Sequence, residues 1–289
     1  MGFRTVVVTS HSKCSFKNGY MVIQNEDTKM IHLSEIESVI FDTTAVTITG
    51  VLLSEFSKQK IVPVFCDERH APSSLHMPLY ANVGHSGRLF KQIEWNQAVK
   101  DRVWRKIVIQ KIKSEAYILK IFGESTAADT LLVYSNNVAD GDSTNREGFA
   151  AKVYFSALFG KSFVRHDSDA LNAALDYGYA IIVSMISKAI VSCGYSTAIG
   201  IHHKGELNSF NLSCDLMEPF RAIVDGVVAS SFSGSLDREF KENLWGIPSL
   251  EVLYRDKKQY LSNAIKLYCR DVFDALDLGT DEIFEVAFL

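Results

Sequence analysis

Cysteine and proline are scarce, with five of each in 289 residues. Cys14, Cys66, Cys193, Cys214 and Cys269 are odd in number, scattered and free of any CxxC pair. This argues against a disulfide framework or a thiolate zinc site, and for a reducing, cytoplasmic setting. The opening MGFRTVVVTSHSK lacks the apolar core of a signal peptide. The longest apolar stretch, Tyr179 to Ile186, is too short for a bilayer, which needs about 20 residues. No membrane role is therefore expected. The chain contains no GxxxxGK[ST], GxGxxG, GxSxG or HExxH motif, so P-loop, dinucleotide, serine-hydrolase and zincin chemistries lack their signatures.

What is present is a globular composition, 47% hydrophobic and 22% charged, unlike that of a disordered chain. The length suits one or two domains. A net charge of −4 does not mark a basic nucleic-acid binder, but the charge is unevenly spread. Between Arg88 and Lys120 nine basic residues stand against three acidic ones, a local +6 that leaves −10 elsewhere. The last nineteen residues, from Asp271, hold six acids and no Lys or Arg. This asymmetry predicts an anionic partner for the basic segment and a cationic one for the tail.

The first eighty residues read as β. Short runs at Thr5–Thr9, Cys14–Phe16, Tyr20–Gln24, Met30–Leu33, Ser38–Phe41, Val46–Ile48 and Ile61–Cys66 lie between turn residues. Asn18-Gly19 is a hairpin signal, and 51–60 suits one short helix. Breakers at His70-Ala71-Pro72 and 81–87 mark a linker. The period then becomes helical. Leu89, Ile93, Ala98, Val103, Ile107, Ile112, Ala116 and Leu119 predict one long helix ending near Gly123. Further helices are predicted at 126–138, 145–159, 170–192, 214–231, 236–245 and 258–276. The fold class is α+β: a small N-terminal β-sandwich over 1–83, then a larger, all-α-helical domain over 84–289.

Three segments could carry chemistry. Thr144-x-x-Glu147 fits a capping box. The other reading of Glu147 is a carboxylate ligand at a helix start, with Arg146 available for a phosphate. His202-His203 lies in a polar, turn-forming stretch; adjacent residues of an extended segment point to opposite sides, so at most one of them faces a given site. In Asp215-Leu216-Met217-Glu218-Pro219-Phe220-Arg221 the two acids share a helix face. Pro219 suits a first turn, so a helix beginning near Met217 or Glu218 is predicted, with both acids at its N-terminus. Acids there need no catalytic role. Together, one His and several carboxylates without thiolates suit a hard divalent ion, Mg²⁺ or Mn²⁺. Such an ion can clamp a phosphodiester, and the basic segment would position DNA through its phosphates.

Asn145-Arg146-Glu147-Gly148, Tyr154-Phe155, Leu158-Phe159-Gly160, Asn172-x-x-Leu175-Asp176-Tyr177-Gly178-Tyr179, Gly200-Ile201-His202-His203, Phe210-Asn211-Leu212 and the Asp215–Arg221 run together resemble CRISPR-associated protein one. That family is the integrase subunit of spacer acquisition, and the flavour is of versions beside Cas9-containing type II systems. The pattern departs at Ala222, where a proline often stands. The resemblance implies a β-sandwich that serves dimerisation and partner contacts, and a helical catalytic domain. It also implies metal ligands at Glu147, His203 and Glu218, with Asp215 assisting. The reaction would be attack of a DNA 3′-hydroxyl on a phosphodiester at the repeat edge. Partners would be double-stranded DNA (prespacer and leader–repeat), a second copy of the chain, and a dimer of CRISPR-associated protein two. Cas9 and a ring-forming DNA-end-binding protein would join in a prokaryotic cytoplasm. DNA contacts are expected at Arg88, Lys91, Arg102, Arg105, Lys106, Arg146 and Arg221. The alternatives are a structure-selective, metal-dependent nuclease of branched DNA and a non-catalytic DNA-binding scaffold. A tyrosine or serine recombinase is disfavoured, because the clustered groups are acids and a His.

Overall fold

In the computed structural model, which describes residues 2, 4–78, 85–165, 167, 169–283 and 285–288, the chain opens with two four-stranded sheets. In the first, β1 (Arg4–Val8), β5 (Ile36–Phe41) and β7 (Pro63–Cys66) run parallel, with β8 (Pro72–Leu75) antiparallel at the edge. In the second, β2 (Ser12–Lys17), β3 (Tyr20–Gln24) and β4 (Thr28–His32) form a meander, and β6 (Val46–Ile48) joins β2 in parallel. Asn18 and Gly19 both adopt positive φ, 50° and 87°, as the predicted hairpin turn requires. β8 falls where the sequence suggested linker. It begins with Pro72, a residue that an edge strand tolerates.

The first sheet is covered on both faces, and every residue of β5 is buried. Val39 and Phe41 face a core shared with Val6, Met21, Ile23 and, from helix α1 (Gly50–Gln59), Leu52 and Phe56. Ile40, on the alternate face, joins Val64 and Cys66 in the core of the helical part. Two buried carboxylates fasten this second face. Glu37 accepts from Lys188 at 3.0 Å and from Lys266 at 2.8 Å. Asp42 accepts from Lys241 at 3.0 Å and from the Tyr177 hydroxyl at 3.1 Å.

The helical part comprises α2 (His85–Glu94), α3 (Gln97–Ile121), α4 (Ser125–Ser135), α5 (Arg146–Phe159), α6 (Ala170–Cys193), α7 (Asn211–Met217), α8 (Arg221–Ser231), α9 (Arg238–Gly246) and α10 (Leu261–Leu278). The predicted long helix is two helices. Asn96 is extended (φ −61°, ψ 132°), and its side chain caps α3 at the Ala98 amide. α6 is long and apolar enough to cross a bilayer, yet 72% of its most apolar window is buried in the protein, as in a core helix. The predicted class stands, but the second part is not purely helical. β9 (Glu251–Tyr254) and β10 (Lys257–Tyr260) form a hairpin that pairs with β11 (Val286–Phe288). The predicted helix at 258–276 therefore begins only at Leu261. The boundary expected at 83/84 lies outside the described residues.

Asp42→Ala leaves the Lys241 ammonium buried without its carboxylate, which costs about 3–5 kcal/mol. Urea unfolding should show this loss, and Lys241→Met in the same chain should recover much of it.

Candidate active site

Asp215 sits inside α7 with 0% of its surface exposed. Its carboxylate accepts the backbone N–H groups of Ile201 (2.5 Å), His202 (3.0 Å) and His203 (3.0 Å). It also meets His203 Nδ1 at 2.6 Å. The loop thus wraps around one anion. Gly200 lets it do so, because a Cβ there would stand 2.4 Å from the His203 carbonyl and 2.7 Å from Asp215 Oδ2. Asn211 ties the same loop down, donating to the carbonyls of Ala198 (3.0 Å) and Gly205 (2.9 Å). The bond to Asp215 is the main reason that the His203 imidazole titrates above its usual range, although burial opposes it. With Nδ1 engaged, Nε2 is the ring nitrogen left for a ligand. His202 instead stacks flat on Trp104, centroids 4.4 Å apart, and His203 stands edge-on to the same ring.

The helix expected to start near Met217 starts at Asn211, and Asp215 lies within it rather than at an N-terminus. Pro219 has no amide to give to Asp215, so the chain tightens into a 3-10 turn over Glu218–Phe220 before α8. That turn carries Glu218, 3% exposed. Its Oε1 accepts from Arg221 Nε at 2.8 Å. Its Oε2 lies 2.5 Å from Lys111 Nζ, yet off any hydrogen-bonding direction. Burial disfavours the charge, but Arg221 and Lys111 hold the Glu218 carboxyl down to about 2.

Glu147 opens α5, but it is not the cap. Asp142 accepts the amides of Arg146 (2.8 Å) and Glu147 (3.0 Å), and Asn145, at φ 52°, accepts that of Gly148. The capping box from Thr144 does not form. Glu147 is left to face Lys111, whose Nζ lies 2.5 Å from its Oε1. Lys111 is thus the cation on which the two carboxylates converge, and sequence reading missed it. It lies within the apolar pattern of α3, where a lysine signals only a solvated face. Among the described residues no three His, Cys, Asp or Glu side chains stand together as a metal cage. The donor set nonetheless fits a hard cation, because Glu218 Oε2 is a buried acceptor with no hydrogen bond.

The basic side chains divide. Arg88 (2.6 Å) and Lys91 (3.5 Å) pair with Asp277, which also accepts from Trp95 and Tyr195. Arg102 donates to the Gly279 carbonyl, and Arg105 pairs with Asp140 and Asp281. Lys113 pairs with Glu285. The cationic partner expected for the tail is therefore the chain's own basic segment. Arg221 is taken by Glu218 and lies over the Tyr179 ring at 4.7 Å. Lys106 is exposed and in no ion pair among the described residues. Arg146 lies over Tyr134 at 5.9 Å, and its buried Nε has no hydrogen-bond partner. Sequence reading also missed Lys100 and Lys204, which line a cavity of about 450 Å³ beside His203. Their signal was position: one lies in the basic run, the other directly follows His203.

Residues 5–247 match the family described as CRISPR associated protein Cas1, and the chain belongs to that family. It is 34% identical over 227 residues to the CRISPR-associated endonuclease Cas1 of Neisseria meningitidis serogroup C, covering 78% of this chain and 74% of that protein. It is 25% identical over 276 residues to CRISPR-associated endonuclease Cas1 1 of Francisella tularensis subsp. novicida, covering 87% and 86%. Its fold is similar to a casposase bound to integration product, with TM-score 0.78, 18% identity, and 97% and 92% covered. It is similar also to a CAS1 protein from Thermotoga maritima, with TM-score 0.77, 18% identity, and 97% and 99% covered. In a Cas6-RT-Cas1–Cas2 complex the likeness (TM-score 0.75, 17% identity) covers 98% of this chain and 36% of the larger one.

Behind Lys111 lies a second layer of acids. Burial pushes the Glu115 carboxyl up to about 8, with Lys111 opposing, and one of its oxygens has no partner. Asp225, raised to about 6 by burial, accepts from the hydroxyls of Tyr154 and Tyr179. A carboxyl whose folded pKa lies above its unfolded one binds more protons folded than unfolded in between. Stability is then lost as pH rises through that window. Between pH 5 and about 8 the wild type should therefore lose stability relative to Glu115→Gln, measured by urea unfolding. An unchanged difference across that range would contradict the assignment of a proton to Glu115.

Proposed function

We propose that this chain is a metal-dependent DNA integrase and endonuclease of CRISPR adaptation, inserting short DNA fragments at the edge of a repeat. The observation that carries this reading is the convergence of Glu147 and Glu218 on one buried cation. The His203 ring, which feels the charge of both acids, is fixed by Asp215. The relatives named endonucleases and the casposase bound to integration product support the chemistry.

In the reaction a strand-terminal 3′-oxygen forms a new bond to phosphorus, and the chromosomal 3′-oxygen leaves with the proton that balances it. One phosphodiester replaces another, so no high-energy cofactor is needed. Glu147, His203 and Glu218 would hold Mg²⁺ or Mn²⁺, and a bound divalent ion neutralises the phosphodiester and the departing oxygen. Asp215 serves as the positioning residue: it fixes the tautomer and the direction of the His203 ring. Arg146, with its free Nε, and Lys100, Lys106 and Lys204 would contact backbone phosphates. Arg88, Lys91, Arg102 and Arg105 could do so only in competition with the acidic C-terminal segment. Arg221 would act through Glu218. The proposed assembly is a homodimer on each side of a CRISPR-associated protein two dimer, joined by Cas9 and a DNA-end-binding ring. Solved structures with a similar fold include a Cas6-RT-Cas1–Cas2 complex and a TtCas1-DNA complex, which supports CRISPR-associated protein two and DNA as partners. The β-sandwich would supply the partner contacts. The start of α5 is capped by Asp142 and Asn145, so capping gives Glu147 no structural role there.

Strand transfer of a labelled short duplex into a plasmid carrying a leader–repeat, with the partner subunit present, should need Mg²⁺ or Mn²⁺ and stop with EDTA. His203→Ala should abolish it while the variant still folds, as judged by circular dichroism, and Asp215→Asn should cost about 10–100-fold. Cutting without joining would favour the branched-DNA nuclease, and binding with neither would favour the scaffold.

A further inference from the structure

Where the first sheet meets the helical part there is a cavity of about 340 Å³. It shares no lining residue with the cavity beside His203. Four cations, Lys60, Lys188, Lys266 and Arg270, line it against a single acid, Glu37. Glu37 is buried and already shared. Lys188 donates to its carbonyl (2.8 Å) and to Oε1 (3.0 Å), and Lys266 donates to Oε2 (2.8 Å). One carboxylate thus serves two ammonium groups, and the cavity keeps an excess of positive charge. Arg270 is exposed at the rim, faces the Cys193 thiol and is in no ion pair among the described residues. Burial pulls the Lys188 ammonium below its ordinary range, with Glu37 opposing. A desolvated cation of this kind gains most from a further anion.

The rest of the wall mixes apolar Leu33, Ile36 and Ala189 with polar Ser34, Gln59 and Ser192. A volume near the lower end of the usual range of roughly 300–1,000 Å³, at a junction between two parts of a fold, suits a small ligand with one charged end. A concave pocket of this size does not admit a duplex. We propose that this cavity binds a terminal phosphate monoester, with its phosphate among Lys60, Lys188, Lys266 and Arg270 and its remainder against Leu33, Ile36 and Ala189. The phosphate could belong to a free mononucleotide or to the 5′ end of a DNA strand. The planar guanidinium of Arg270 at the mouth can take two phosphate oxygens at once. Glu37 sets the sign of the tuning, since it attracts the lysines and repels the ligand.

The test is calorimetric titration of the full chain in EDTA, so that the result does not depend on the active site. The probes are inorganic phosphate, AMP, and a four-nucleotide DNA with and without a 5′-phosphate. Binding of AMP or of the phosphorylated oligonucleotide should weaken at least tenfold in Arg270→Ala and in Lys266→Met. It should tighten severalfold in Glu37→Gln and stay unchanged in His203→Ala. AMP binding as well as the oligonucleotide points to a free nucleotide, and a preference for the phosphorylated oligonucleotide points to a DNA end. The proposal is overturned if no probe binds at millimolar concentration. It is equally overturned if the unphosphorylated oligonucleotide binds as well as its partner, or if Arg270→Ala and Lys266→Met leave binding as it was. Arg270 is exposed, so its variant stays folded even if the others do not.

Discussion

Burying a carboxylate away from water costs several kcal/mol unless donors or cations meet its lone pairs. This chain buries Glu115, Asp215, Glu218 and Asp225 around one end of its helical core. Asp215 meets the condition most completely, with three backbone amides and one imidazole. The loop carrying His203 has its shape because of that anion. Gly200 and Asn211 are the local conditions that let it close. Removing the Asp215 charge would free three amides and one ring together, so its effect reaches the site through the loop rather than through contact with substrate.

Lys111 plays the complementary part. It is a buried cation drawn between Glu147 and Glu218, with Glu115 behind it, and these three acids raise its hold on the proton against the effect of burial. A site arranged this way is electrostatically preorganised. Its charges are in place before a substrate arrives. The same logic recurs at the junction with the β-sandwich, where Glu37 and Asp42 are each held by lysines from distant helices. The acidic C-terminal segment repeats it at the surface, lying along the basic helices α2 and α3.

Much of this was legible in the sequence. The change from period 2 to period 3.6 located the two parts, and Asn18-Gly19 located the first hairpin. Glu147, His203, Asp215 and Glu218 came from motif order; the structure pairs His203 with Asp215 and sets Glu147 and Glu218 against Lys111. Other features lacked a local signal. The β9–β10 hairpin turns through Arg255 and Asp256, both at positive φ (53° and 58°), without the Gly that marks such turns. Asn145 caps α5 from a left-handed conformation, which a capping-box pattern does not encode. Lys111 and the partners of Asp277 depend on which surfaces meet, and no spacing rule fixes that. Pro219 was read as the start of a helix. In fact the helix begins earlier and tightens through it.

In the proposed site Glu147, His203 and Glu218 would share one metal ion, with the Lys111 ammonium in its place until the metal enters. Anomalous diffraction from crystals soaked in Mn²⁺ tests it directly. The account predicts a single strong peak bounded by those three side chains, with the Lys111 ammonium withdrawn from Glu218 and the peak absent in His203→Ala. No peak there, with Lys111 still between the two carboxylates at saturating Mn²⁺, would contradict it.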